Sequence, residues 1–140
     1  MKRHIVKDER GLPMRVIRPS DLEFETRPHE PDEAPRHAAG VTELAGFRHT
    51  RANFFRYEPG AHGRRHRDML QEETYVPVRG TLTMYLGEPP ERHEIPVGGL
   101  IHVESGTPLQ VVNEGGEDLL VYIYGAPPER GHGEFLDSAV

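Results

Sequence analysis

Pro59-Gly60-Ala61-His62-Gly63-Arg64-Arg65-His66-Arg67-Asp68-Met69-Leu70-Gln71-Glu72-Glu73, continuing through Thr74-Tyr75-Val76-Pro77-Val78-Arg79-Gly80, is the stretch on which the fold turns. Along a β-strand alternate side chains share a face. His66 and Asp68 therefore point one way, and Arg65 and Arg67 the other. A short turn follows, and Glu73 opens the next apolar run. If the two strands lie in one barrel wall, Glu73 meets His66 and Asp68 inside, and one imidazole converges with two carboxylates.

The flanking sequence repeats the same rhythm. Short apolar runs recur at Val41–Phe47, Ala52–Tyr57, Thr74–Val78, Thr81–Leu86, Glu91–Pro96, Leu100–Val103, Leu109–Val112 and Leu119–Tyr124, each bounded by Gly, Pro, Asn or Asp. Strands at intervals of about 8–12 residues with turn residues between them predict a sandwich or barrel. Arg79-Gly80 is short enough for a hairpin, and Asn113-Glu114-Gly115-Gly116 reads as a second turn. No segment sustains a 3.6-residue apolar period, so helices are minor. Met14–Ile17 reads as a short strand. Pro19, Pro28, Pro31 and Pro35 exclude a long helix from the segment that follows. Residues 1–40 are accordingly read as an extended or partly ordered arm, 41–126 as the barrel, and 127–140 as a tail.

Composition narrows the function. With 140 residues the chain is one domain long, and its net charge of -6 lacks the basic footprint of a nucleic-acid binder. It has no cysteine, which excludes disulfides, thiolate metal sites and cysteine nucleophiles. No apolar run nears the ~18 residues of a membrane span, and no secretory signal is visible behind Met1-Lys2-Arg3. A cytoplasmic protein with no membrane partner is expected. The few serines stand in no nucleophile-elbow context, and no phosphate-cradling glycine loop appears.

The quoted stretch resembles the first motif of the cupin superfamily: glycine, five residues, His-x-His, three or four residues, glutamate, six residues, glycine. Gly60, His66, Glu73 and Gly80 match in register, and Asp68 replaces the second histidine. Gly98 to Asn113 resembles the second motif through Gly98, Gly106 and Asn113. There Glu104 replaces the expected proline and Leu109 the expected histidine. The resemblance covers roughly Ala52 to Gly125. It implies an all-β double-stranded β-helix, a jelly-roll-like cupin barrel. It also implies a divalent metal held in most relatives by three histidines and a glutamate, and a homodimer, in keeping with the prevalence of two-fold pairs.

Mapped onto this chain, the resemblance leaves His66, Asp68 and Glu73 as metal ligands and removes the fourth at Leu109. Two carboxylates about 5 Å apart repel by roughly 3 kcal/mol at an effective dielectric near 20. A divalent ion (Mn²⁺, Fe²⁺ or Zn²⁺ for this donor set), a protonated His66, or proton uptake by one acid would each relieve the repulsion. The functional expectation is a small-molecule-binding cupin with an atypical metal site. The alternative is a metal-free binding module or an interaction domain. Leu109, Tyr75, Asn53 and His102 are the candidate pocket residues. His62 and His102 are the candidates to replace the missing ligand. Tyr122 or Tyr124 is a candidate inward tyrosine on the last strand. Arg64, Arg65 and Arg67 bracket His66; they either draw an anionic substrate or, for Arg65 and Arg67, form a solvated outer face.

Overall fold

The computed structural model describes residues 5–7 and 13–140, with side chains from Met14 onward. Its strands are β1 (Ile5–Lys7), β2 (Pro13–Arg15), β3 (Glu25–Thr26), β4 (Arg36–Gly40), β5 (Arg51–Tyr57), β6 (His66–Asp68), β7 (Glu72–Arg79), β8 (Leu82–Leu86), β9 (Glu91–Ile95), β10 (Ile101–Val103), β11 (Leu109–Val112), β12 (Leu119–Ala126) and β13 (Gly133–Phe135). Among the described residues there are also one short helix, α1 (Thr42–Ala45), and one 3₁₀ turn at Pro19–Asp21. No helix among the described residues is long and apolar enough to cross a membrane.

The strands form two facing sheets, ordered β10-β7-β12-β5-β4-β3 and β13-β6-β11-β8-β9, with β1 and β2 paired apart. All pairings between these strands are antiparallel. From β5 to β13 the chain alternates between the two sheets except at β8–β9, as in a double-stranded β-helix. The core lies between the sheets. Alternation supplies it: Leu82 and Met84 of β8, Leu109 and Val111 of β11, and Leu119 and Val121 of β12 are all buried.

Several local expectations change. Arg79-Gly80 makes no hairpin, because β7 and β8 belong to different sheets. The link is a corner, and Gly80 fits it for two reasons. Its φ is +78°, and a Cβ there would stand 2.8 Å from the carbonyl oxygen of Asp118. The run Val41–Phe47 is mostly not a strand. Thr42-Glu43-Leu44-Ala45 closes a helical turn, with the Ala45 amide donating to the Val41 carbonyl at 2.8 Å.

The arm does more than wrap the core. Its residues 36–40 are β4, hydrogen-bonded along β5 with Arg36 opposite Tyr57 and Gly40 opposite Asn53. The tail likewise carries a strand, β13, which pairs with β6. Beyond it, the Leu136 amide donates to the Arg65 carbonyl at 2.8 Å, and the Ala139 amide donates to Gln110 Oε1 at 2.8 Å. Arg65 is therefore not on a solvated face. It is 6% exposed and donates to the carbonyls of Asp137 (3.2 Å) and Gly87 (3.0 Å) and to Glu88 Oε2 (2.7 Å).

Replacing Gly80 with valine forces a β-branched residue into the left-handed region, which alone costs roughly 1–2 kcal/mol. A lowered urea midpoint with an unchanged m value is expected. An unchanged midpoint would refute the corner reading.

Candidate functional site

Strand parity builds the site. On β5, Arg51, Asn53, Phe55 and Tyr57 face inward; on β7, Glu73 and Tyr75; on β12, Ile123. From the opposite sheet come His66 and Asp68 of β6 and Leu109 and Val111 of β11. Together they line an open cavity of about 500 Å³. The pairing sets the rungs. Asn53, Ile123 and Tyr75 are cross-strand neighbours, as are Arg51, Gly125 and Glu73. Gly125 has no side chain to place between Arg51 and Glu73. None would fit, since a Cβ would run into the Glu72 carbonyl oxygen and come within 3.1 Å of Glu73 Cγ.

Glu73 is the chemically distinctive group. It is half-buried, and the Tyr75 hydroxyl donates to its Oε1 at 3.2 Å. Burial pushes the Glu73 carboxyl above its ordinary value, and the Asp68 carboxylate adds to the rise. His66, the Tyr75 hydroxyl and Arg51 oppose it without cancelling it. Burial likewise drives the Tyr75 phenol well up, helped by Glu73 and Tyr57. The Tyr57 phenol is raised too, chiefly by burial. Near neutral pH both phenols are proton donors.

The expected convergence of His66, Asp68 and Glu73 holds only in part. All three line the cavity, but β6 and β7 are strands of facing sheets rather than neighbours in one wall. Asp68 Oδ1 accepts from the amides of Leu70 (2.9 Å) and Gln71 (2.7 Å), so its carboxylate caps the following loop. His66 Nδ1 donates to the Arg64 carbonyl at 3.0 Å, which leaves Nε2 as the free acceptor. Leu109, 3% exposed, lies directly opposite His66 in the ladder. Among the described residues no three His, Cys, Asp or Glu side chains are grouped so as to hold one metal ion. The donor set does not fit the divalent ion that the family resemblance implies.

The other candidates separate cleanly. Asn53, Tyr75 and Leu109 line the cavity. His102 does not: it pairs with Thr74 on the outer face, where its Nδ1 lies 2.8 Å from Thr74 Oγ1 and its Nε2 3.3 Å from Glu72 Oε1. The parity that turns Glu73 and Tyr75 inward turns Thr74 and His102 out. His62 is also outside the cavity lining, and its Nε2 faces Glu33 at 3.3 Å. Neither histidine lines the cavity. On β12 it is Ile123 that faces in. Tyr122 packs outside against Phe54, the rings tilted by 51° with centroids 4.9 Å apart.

Sequence reasoning passed over four lining arginines: Arg27, Arg36, Arg51 and Arg130. Arg51 carried a signal, since it shares parity with Asn53, Phe55 and Tyr57. The others lie in the arm and the tail, where no period marks an inward face.

Comparison with known proteins bears on the fold. No family model and no curated protein matches the chain significantly. Solved structures do. The polyketide cyclase RemF from Streptomyces resistomycificus is 20% identical, with a TM-score of 0.70 over 89% of this chain and 87% of that one. A predicted oxalate decarboxylase from Thermotoga maritima is 17% identical, with a TM-score of 0.69 over 80% of this chain and 98% of that one. A sugar phosphate isomerase of the cupin superfamily from Silicibacter pomeroyi is 22% identical, with a TM-score of 0.64 over 74% of this chain and 66% of that one. The chain has the double-stranded β-helix fold of the cupins.

The raised Glu73 carboxyl has a pH signature. Between the ordinary carboxylate value and its own higher one, the folded state holds a proton that the unfolded state has released. Stability attributable to this group therefore falls as pH rises through that interval, then levels. In urea unfolding at stepped pH, wild type should lose stability relative to E73Q as pH rises above 4.5. A pH-independent difference between the two would contradict the assignment.

Proposed function

We propose that the protein binds a small organic molecule inside the barrel without a resident metal, and that Glu73 exchanges a proton with it. The observation that carries this reading is a carboxyl of raised proton affinity that accepts from a buried phenol on the wall of an open cavity. A carboxyl whose affinity for protons is raised above the ordinary carboxylate range is suited to general acid–base work. In the step proposed, the Glu73 carboxylate takes a proton from the bound molecule and returns it at another atom, so the protein ends unchanged. Tyr75 holds the carboxylate oriented through its hydroxyl. Phe55, Leu109 and Val111 supply apolar contact and limit water.

The solved neighbours include an isomerase, a cyclase and a predicted decarboxylase. One fold hosts several chemistries, so the side chains in this cavity decide which one operates. The Leu109 side chain, buried where the resemblance expects a ligand, supports the metal-independent form of the proposal.

The competing reading places a divalent ion on His66, and it draws on the free Nε2. One experiment addresses both. Protein dialysed against EDTA is expected to bind neutral apolar probes in the cavity and to show no stabilisation by Mn²⁺, Fe²⁺ or Zn²⁺. Asn53→Trp, which fills the space beside Tyr75 and Ile123, is expected to abolish probe binding while circular dichroism is unchanged. Stabilisation of several degrees by one of these ions at near-stoichiometric concentration would overturn the metal-independent reading.

A further inference from the structure

The cavity's charge runs against that of the chain. The protein carries a net charge of -6, yet five arginines line this one cavity (Arg27, Arg36, Arg51, Arg64 and Arg130) against two carboxylates, Asp68 and Glu73. Of the eight described arginines outside the cavity, four pair with carboxylates. Arg56 pairs with Asp118, Arg65 with Glu88, Arg67 with Glu134, and Arg92 with Glu94 and Glu114. None of the five cavity arginines forms an ion pair with a carboxylate among the described residues. Arg36 donates to the His62 carbonyl at 3.5 Å, which leaves its charge uncompensated. An acidic chain has carboxylates to spare, so guanidiniums without carboxylate partners concentrated in one concave site are what an anionic ligand would neutralise.

The arrangement also has depth. The Arg51 charge acts on Glu73 and Tyr75, and the Arg36 charge acts on Tyr57, so two guanidiniums reach the acid–phenol cluster. Arg64 is held in place by its guanidinium stacking 3.6 Å above the Phe135 ring centroid. Arg27 and Arg36 are neighbours, the Arg27 amide donating to the Arg36 carbonyl at 2.9 Å. Arg130 comes from the loop that leads into β13. The arm, the barrel and the tail thus each contribute cations to one site.

We infer that the molecule bound in this cavity is an anion, a carboxylate or a phosphate ester, whose charged group is held by these arginines while its remaining part lies against Phe55, Leu109 and Val111. The inference rests on the cavity reading above and adds the ligand's charge class. Phosphate ester and carboxylate share this recognition chemistry, and guanidinium forks suit both.

Titration of ¹⁵N-labelled full-length protein with inorganic phosphate, with succinate and with neutral indole tests it by amide chemical shifts. Phosphate or succinate should move the amides of Gly63, Gly131 and Gly133, and added sodium chloride should weaken the effect. Tighter phosphate binding assigns the phosphate ester, and tighter succinate binding the carboxylate. R51Q should weaken anion binding about tenfold or more, as expected for loss of a charge-assisted hydrogen bond. R130Q, in an exposed loop, should also weaken it and serves if R51Q does not fold. R79Q, on the exposed end of β7, should leave it unchanged. If indole binds and neither anion does, the charge inference fails and the cavity reading stands. If no probe binds, both fail. If R79Q weakens anion binding as much as R51Q and R130Q, the anions are binding the surface, and the inference is overturned.

Discussion

The pairing of β12 on both of its edges fixes everything inside the barrel. One edge holds β5 from Leu119 opposite Tyr57 to Gly125 opposite Arg51. The other holds β7 as far as Ala126 opposite Glu72. Because side chains alternate, a one-residue slip of β7 would send Glu73 and Tyr75 outward and bring Thr74 in, and a slip of β5 would exchange Asn53 for Phe54. The ladder has one irregularity, between Leu120 and Val121, where their partners step from Arg79 to Pro77. Proline lacks the amide a central strand needs, and a bulge is where a sheet tolerates it. The disturbance falls toward the far end of β7 from Glu73, so the rungs that carry the site stay regular.

Within this frame the chemistry follows from what each rung is allowed to hold. Gly125 leaves room between Arg51 and Glu73, so a cation and a half-buried acid share one level of the barrel. Tyr75 stands one inward step along and reaches back to the acid. Across the barrel, Asp68 gives its oxygen to the loop after β6, and Leu109 faces His66 with no donor. The electrostatic crowding expected of two nearby carboxylates is resolved locally. One accepts hydrogen bonds from two amides of the following loop, and the other has its proton affinity raised by burial.

The fold was legible in the sequence because it depends on spacing. Glycines, turn residues and alternating runs mark strands whatever their neighbours, and Gly60, Glu73, Gly80 and Asn113 kept the cupin register. The site was legible only where parity sufficed. Asn53, Tyr75 and Glu73 could be placed on inward faces from their own strands. Asp68 could be placed on the inner face, but its hydrogen bonds to Leu70 and Gln71 depend on how the loop closes. His102 looked inward because its run was apolar, and its true face was set by pairing with Thr74, which its own segment does not encode. The buried Arg65 and the arginines of the arm and tail depend on long-range docking of irregular segments, where no period exists to read.

The last stretch of chain is part of the vessel it closes. Arg130, Gly131, Gly133 and Phe135 line the cavity, and a few residues later the same segment is tied to Arg65 and Gln110. A guest that touches this strap and the seating of the strap therefore draw on one shared free energy, and each must strengthen the other by the same factor. A guest bound as proposed would make this strap harder for a protease to lift, and whatever loosened the strap would raise the guest's escape rate.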